Sequence, residues 1–373
     1  MRFDWAIFAL AALAVPVHAQ LTGVAAVKPR LAADAKASSR APQVALSESS
    51  DLVGGPLLGY AAREDRSGVY PLHGFPGAAF PGPTLTLAQA RGNPVVSSVG
   101  GYALAAGQRP GELLVYGLRP YTASSRLLPS VFVVSTQPDQ IALSPLGRIA
   151  LLYDRDRREI EVLAGLPGRP ISLYTVSLAG VRGLLTALAV SDDGLVSLAA
   201  FSSANGSGEI YAMRRETPAS LVGAVSRVVH LAFVPNTRDG LAADYERGQV
   251  LLLRDGGRQG VQLLAGRNDG VRAPTALEAS MEGSVFVVSE GSGTLLMLPP
   301  GQAAPPGLIR CGCAASGLER LKDPDSFRLT SGGGVIAVLE VQRDQPRVFY
   351  IPAGEETDRE PSDVRNLGRG RSR

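Results

Sequence analysis

The chain has 373 residues, 45% hydrophobic and 19% charged, a balance that excludes an intrinsically disordered protein. Its 43 glycines and 27 prolines follow no collagen period and suit many short strands joined by turns. The formal charge of +3 offers no basic stripe, so nucleic acid is not an expected partner.

Taken in chain order, the N-terminus reads first as an export signal. Arg2 opens a short polar region, an apolar stretch follows over 5–17, and Val17-His18-Ala19 places small residues where a signal peptidase reads them. Cleavage would fall before Gln20, giving a signal peptide over 1–19. The apolar run is shorter than the roughly 20 residues that span a bilayer. No cysteine stands directly after it to take a lipid, and no later segment is apolar enough to cross a membrane. The mature chain is therefore expected to be exported, periplasmic or extracellular, and without a transmembrane segment. Residues 20–41, rich in Ala, Ser and Lys, read as a linker. Residues 353–373 read as a charged, disordered tail.

Between these flanks, over 42–352, one pattern returns: an apolar strand, a Gly turn, a second apolar strand, a polar turn and a third strand. "IALSPLGRIALLYDRDRREIEVLAG" from Ile141 and "ALAVSDDGLVSLAAFSSANGSGEIYAM" from Ala187 show it clearly. The turn glycines are Gly101, Gly147, Gly194, Gly240, Gly283 and Gly334, spaced 46, 47, 46, 43 and 51 residues apart. Glycine suits a tight hairpin because it adopts positive φ without steric cost. A degenerate seventh copy from Pro56 is expected to keep the second and third strands. Fourth strands are expected over 131–135, 171–178, 221–226, 261–265 and 308–313. A period in the forties with four short strands per unit predicts an all-β fold, a β-propeller with seven blades of four-stranded antiparallel sheets. The last copy stops after its third strand near Pro352. Segment 42–49 is then expected to supply either the missing outer strand of the last blade or the inner strand of the first.

The units "ALSPLGR" and "AVSDDG" resemble the turn of WD40-like, YVTN and NHL-type propeller repeats across 52–352. The resemblance implies the fold alone. The mature chain lacks Trp, hence the WD dipeptide, and the tetrapeptide YVTN is also absent.

Residues suited to chemistry are sparse. The mature chain holds two histidines, His73 and His230, both in or beside expected strands, and no G-x-S-x-G elbow. Three or four N/S ligands for zinc are not available, and no calcium-loop pattern occurs. The close pairs Asp154/Asp156, Asp192/Asp193 and Asp323/Asp325 fall at turns, where Asp bonds its own backbone. No P-loop is present. No catalytic residue, metal or cofactor is therefore expected. Glu278 and Arg328 fall on expected inner strands and could line the central channel. Cys311 and Cys313, the only cysteines, stand two apart, about 6.5–7 Å on a regular strand, which is long for a disulfide. Gly312 permits a bend that would shorten the gap, so a disulfide, free thiols, and a metal or intermolecular role all stay open. The expected function is that of an exported, monomeric, non-catalytic module binding a protein, peptide or glycan. The alternative is a propeller hydrolase or lactonase with carboxylates in its channel.

Overall fold

The computed structural model describes residues 55–352 except 64–67, 120–125, 204, 303, 332–335 and 343–344. The expected signal peptide, linker, segment 42–49, tail and Gly334 lie outside the described residues.

The chain forms a seven-bladed β-propeller, one sheet per blade. Helix is confined, among the described residues, to the two short 3-10 turns Arg267–Asp269 and Pro300–Gln302. Blade 3 shows the regular plan: Gln140–Leu143, Ala150–Asp154, Glu159–Ala164 and Ile171–Ser177 pair antiparallel in sequence order. Blades 4, 5 and 6 repeat it from Leu184–Val190, Val228–Phe233 and Pro274–Ala279. Blade 2, from Arg91–Ser97, takes Ser130–Val133 as its fourth strand.

Burial explains the run-on hydrophobicity of the second strands. Tyr102–Ala106, Ala150–Asp154, Gly240–Asp244 and Val285–Ser289 are buried at every residue, because neighbouring blades cover both faces of each sheet. The outer strands are half solvated, as in Ile171–Ser177. Seven apolar clusters result, one between each pair of adjacent blades.

Four of the repeat glycines sit where expected. Gly101, Gly147, Gly194 and Gly283 have φ of 65°, 65°, 68° and 88°. Each donates its N–H to the carbonyl of a serine three residues earlier: Ser98, Ser144, Ser191 and Ser280. Gly240 departs from the expectation. It opens the second strand of blade 5, while the turn falls on Val234–Thr237, with Asn236 at φ 57° and Thr237 N–H bonded to Val234 O at 3.1 Å. Asn tolerates the left-handed region, so the turn does not need glycine there.

The two ends of the ring also depart from the expectation. The copy from Pro56 contributes the first and second strands of blade 1, Leu57–Ala62 and Gly68–Phe75. Its later strands are irregular. Leu85–Leu87 pairs in parallel with Arg126–Leu127, a segment lent by the third-to-fourth connection of blade 2. Blade 7 completes its four strands from its own chain: Ala315–Arg320, Ser326–Ser331, Ile336–Gln342 and Gln345–Ile351. Arg328 therefore lies on a second strand and not on an inner one. The first turn of this blade is built by Asp323 and Asp325 instead of glycine, with Ser326 N–H bonded to Asp323 O at 3.0 Å. Among the described residues no strand is shared between the ends. Leu58, Ala61 and Leu72 pack on Leu321, Val338 and Ile351, and Lys322 N–H donates to Leu58 O at 3.1 Å.

The turn glycines differ in surroundings, which sets up a paired test. A Cβ on Gly101 would come no nearer than 3.8 Å to Leu118 O, whereas on Gly147 it would lie 1.9 Å from Ser97 Oγ. Gly101→Ala should cost only the left-handed penalty of about 1–2 kcal/mol. Gly147→Ala should cost roughly 1–3 kcal/mol more through overpacking, read as a difference in urea midpoints at constant slope.

Candidate functional site

The inner strands surround a central cavity of about 250 Å³. Its two sides differ. Blades 2, 3 and 4 contribute small or apolar groups, among them Val95, Ser97, Leu143, Ser144 and Leu188. Blades 5, 6 and 7 contribute His230, Glu278, Glu319 and Arg320. Of the two residues expected in the channel, Glu278 lines this cavity. Arg328 is not among the lining residues; it sits on the second strand and pairs with Glu319, Nε to Oε2 at 3.2 Å.

Each channel carboxylate has a buried arginine behind it. Arg320 Nη2 lies 2.8 Å from Glu278 Oε2 and donates to Ala279 O at 2.6 Å. It also bonds Pro324 O, and its guanidinium stands 4.8 Å over the Phe327 ring. Arg328 Nη1 donates to Ala62 O at 3.1 Å and to Tyr70 Oη at 3.0 Å. The Arg320–Glu278 pair ties blade 6 to blade 7, and Arg328, paired with Glu319 inside blade 7, ties that blade to blade 1 through Ala62 and Tyr70. Glu319 is the more exposed partner, its side chain 44% open to the channel against 8% for Arg328. The channel walls around it hold back bulk water, and this desolvation raises its carboxyl above the usual range, with Arg328 opposing.

His230 sits beside Glu278, and no described residue hydrogen-bonds its Nδ1. Burial pushes its imidazolium down from the ordinary value, and the Glu278 charge offsets part of this. The unfolded chain then takes up the proton first as pH falls, so this histidine lowers stability below about pH 6.5. His230→Asn should flatten the fall in unfolding free energy between pH 6.5 and 5 relative to the wild type. The two slopes are compared by urea titration at several pH values.

His73 is buried and stacks on Phe80 at 5.6 Å between ring centroids, away from the channel strands. The aspartates have backbone partners. Asp154 accepts from Gln137 N and Arg157 N. Asp192 accepts from Leu146 N at 2.8 Å and Asn236 N at 3.0 Å, lacing the turns of blades 3, 4 and 5. Asp325 likewise holds Met281 N at 2.7 Å. Among the described residues no group of three or more His, Cys, Asp or Glu is placed to hold a metal.

Sequence reasoning missed Glu319 and Arg320 because "ASGLER" was not assigned to a strand. The outlying spacing of 51 before Gly334 was the available signal that a strand had been skipped. It also missed the serines of the turns. Ser144, Ser191 and Ser280 are buried, and their Oγ atoms accept the N–H groups that reopen the next strand.

A second cavity of about 450 Å³ lies between blades 5 and 6, walled by Leu241, Leu252, Val285, Leu298 and Pro300 with the Arg254–Asp239 ion pair beside them. Cys311 and Cys313 are joined as a disulfide with Cα atoms 5.1 Å apart. They follow the outer strand of blade 6, Gly307–Arg310, and Gly312 between them has φ 56°.

No protein-family model and no curated protein matches the chain. Solved structures do resemble it. A protein from Lactobacillus plantarum aligns with a TM-score of 0.52 at 13% identity, over 79% of this chain and 98% of that one. A candidate 6-phosphogluconolactonase from Bacteroides fragilis aligns with a TM-score of 0.54 at 13% identity, over 80% and 93%. Another from Bacteroides uniformis gives 0.51 at 16% identity, over 80% and 97%. At such identities the likeness shows the propeller fold and nothing finer.

Proposed function

We propose that the chain is an exported, monomeric, non-catalytic propeller that binds a protein, peptide or glycan partner, built from repeats of the WD40-like, YVTN and NHL type. The observation that carries the reading is the state of the channel carboxylates. Glu278 and Glu319 each face a buried arginine at 2.8 and 3.2 Å. Those arginines also hold backbone carbonyls across blade boundaries. Arginines that hold both a channel carboxylate and a carbonyl of the neighbouring blade serve as rivets between blades, a structural role that needs no reacting substrate. The small and apolar groups on the opposite side of the cavity support the same reading.

The competing reading is a channel lactonase or hydrolase. Its support is His230, held neutral by burial beside Glu278, together with the fold shared with candidate lactonases. Purified protein assayed on sugar lactones and on glycoside and peptide substrates should show no turnover above buffer. Turnover that His230→Asn and Glu278→Gln both abolish, in proteins that still melt cooperatively, would overturn the binding reading. Capture of one partner from envelope extract, lost when Glu319→Arg recharges the channel, is the expected positive result. Export has its own check. The exported protein should have an intact mass beginning at Gln20 and no indole emission, since Trp5 is the only tryptophan.

A further inference from the structure

We propose that Cys311-Gly312-Cys313 is a thiol–disulfide exchange site, with Cys313 the sulfur attacked and Cys311 the sulfur that leaves. This is independent of the channel.

The first support is that the fold does not depend on the bridge. The two cysteines are two residues apart, so the bond closes almost no chain and removes little unfolded-state entropy. The backbone is held by other means. The N–H groups of Cys311 and Gly312 both donate to Gly293 O, at 3.0 and 3.2 Å, anchoring the bend to the preceding hairpin of blade 6. The pair can therefore open and close on a rigid mount.

The second support is the difference between the two sulfurs. Cys311 is 1% exposed and packs among Phe286, Val288, Leu295 and Phe327. Cys313 is only partly buried, and Gly312 and Ala314 on either side of it are exposed. An incoming thiolate can reach Cys313 and not Cys311. Cys313 N–H lies 3.2 Å from Cys311 Sγ, a donor toward the sulfur that carries the departing electron pair, and Cys313 O, 3.0 Å from the same sulfur, accepts its S–H once the proton arrives.

The chemistry balances with a thiol as reductant. A thiolate attacks Cys313 Sγ, the S–S bond breaks, and the electron pair leaves on Cys311 Sγ, which takes up a proton. The product is a mixed disulfide on Cys313. A second thiol, from the same molecule or another, attacks the partner's sulfur in that mixed disulfide and releases Cys313 as a thiolate that is protonated. Two thiols become one disulfide, and the protein becomes a dithiol. The reverse sequence oxidises the protein at the expense of a disulfide.

The surroundings indicate the class of thiol. Arg310 is exposed immediately before the bridge, and the Tyr350 hydroxyl borders Gly312. A positive charge and a phenol favour a small or flexible thiol that carries negative charge.

The test uses the full native chain and glutathione as probe. The protein is equilibrated in mixtures of reduced and oxidised glutathione, quenched by acid and alkylation, and mapped by mass spectrometry. The expected result is reduction without loss of the far-ultraviolet dichroism signal, at a rate unchanged by urea below the unfolding transition. A single glutathione adduct should map to Cys313. Cys311→Ala should trap that adduct, and Cys313→Ala should cut adduct formation at least tenfold. At equal thiolate concentration and low salt, mercaptoethanesulfonate should react faster than cysteamine. Reduction that tracks global unfolding, or an adduct on Cys311, would overturn the exchange site. Faster reaction with cysteamine would overturn the anionic class.

Discussion

Arg328→Met should destabilise the propeller by about 3 kcal/mol, with the loss concentrated where the ring closes. Arg328 is 8% exposed and bonds three groups on two blades: Glu319, Ala62 O and Tyr70 Oη. Methionine fills similar volume without a donor, so Ala62 O, Tyr70 Oη and the channel carboxylate of Glu319 each lose the arginine's hydrogen bond. The seam has little in reserve. Among the described residues the ends meet through the cluster of Leu58, Leu72, Leu321, Val338 and Ile351 and the Lys322 N–H bond to Leu58 O. The cost stays below that of a fully buried broken pair because Glu319 is wetted by the channel. Glu319→Gln, which keeps an acceptor toward Arg328, should cost less than about 1 kcal/mol. Urea unfolding measures both totals. Hydrogen exchange locates them: amides of blades 1 and 7 should lose protection before those of blades 3 and 4. Uniform loss would place the arginine's role elsewhere.

Asp244→Ala should cost about 3 kcal/mol as well, for a different reason. Asp244 closes the second strand of blade 5 with no solvent exposure. Its Oδ2 accepts from Ser226 N at 2.9 Å, and its Oδ1 from Arg227 N at 3.2 Å and Arg247 N at 3.3 Å. One carboxylate thus satisfies the chain that leaves blade 4 and the hairpin that turns within blade 5. Alanine strands these part-buried N–H groups against the buried end of the strand, and together they account for the loss, a fully buried unpaired donor alone costing about 1–3 kcal/mol. Arg247 adds little, standing 3.9 Å away and 49% exposed. Asp244→Asn keeps one acceptor oxygen and should retain about half of the stability that alanine loses. Asp154 occupies the same place in blade 3 and should rank with it. Equal midpoints for the Asn and Ala variants would show that the carboxylate is not the cap described.

The repeat was legible because blade geometry writes itself locally. A second strand buried on both faces must be apolar throughout, and a tight turn with φ near 65° selects Gly, as at Gly147 and Gly194. Those two constraints recur with each blade, and they suffice for an all-β propeller, the number of blades and the approximate fourth strands. They lapse where another residue can do the turn's work. Asn236 in blade 5 and Asp323 in blade 7 replaced glycine; in blade 5 only the turn residue was misassigned, and in blade 7 the strand phase slipped as well. That slip hid the strand Ala315–Arg320 and put Arg328 on the wrong strand.

What the sequence by itself determined is therefore the architecture, the C-x-C spacing and the scarcity of catalytic groups, since each is a property of short stretches. Only the tertiary structure decided how the ring closes, which arginine neutralises which carboxylate, and that one cysteine of the pair is buried while the other is partly open. These depend on contacts between residues that the chain separates widely: Arg328 and Ala62 lie 266 residues apart. No local pattern records such a pair, because the side chains meet only after every blade between them has turned its share of the circle.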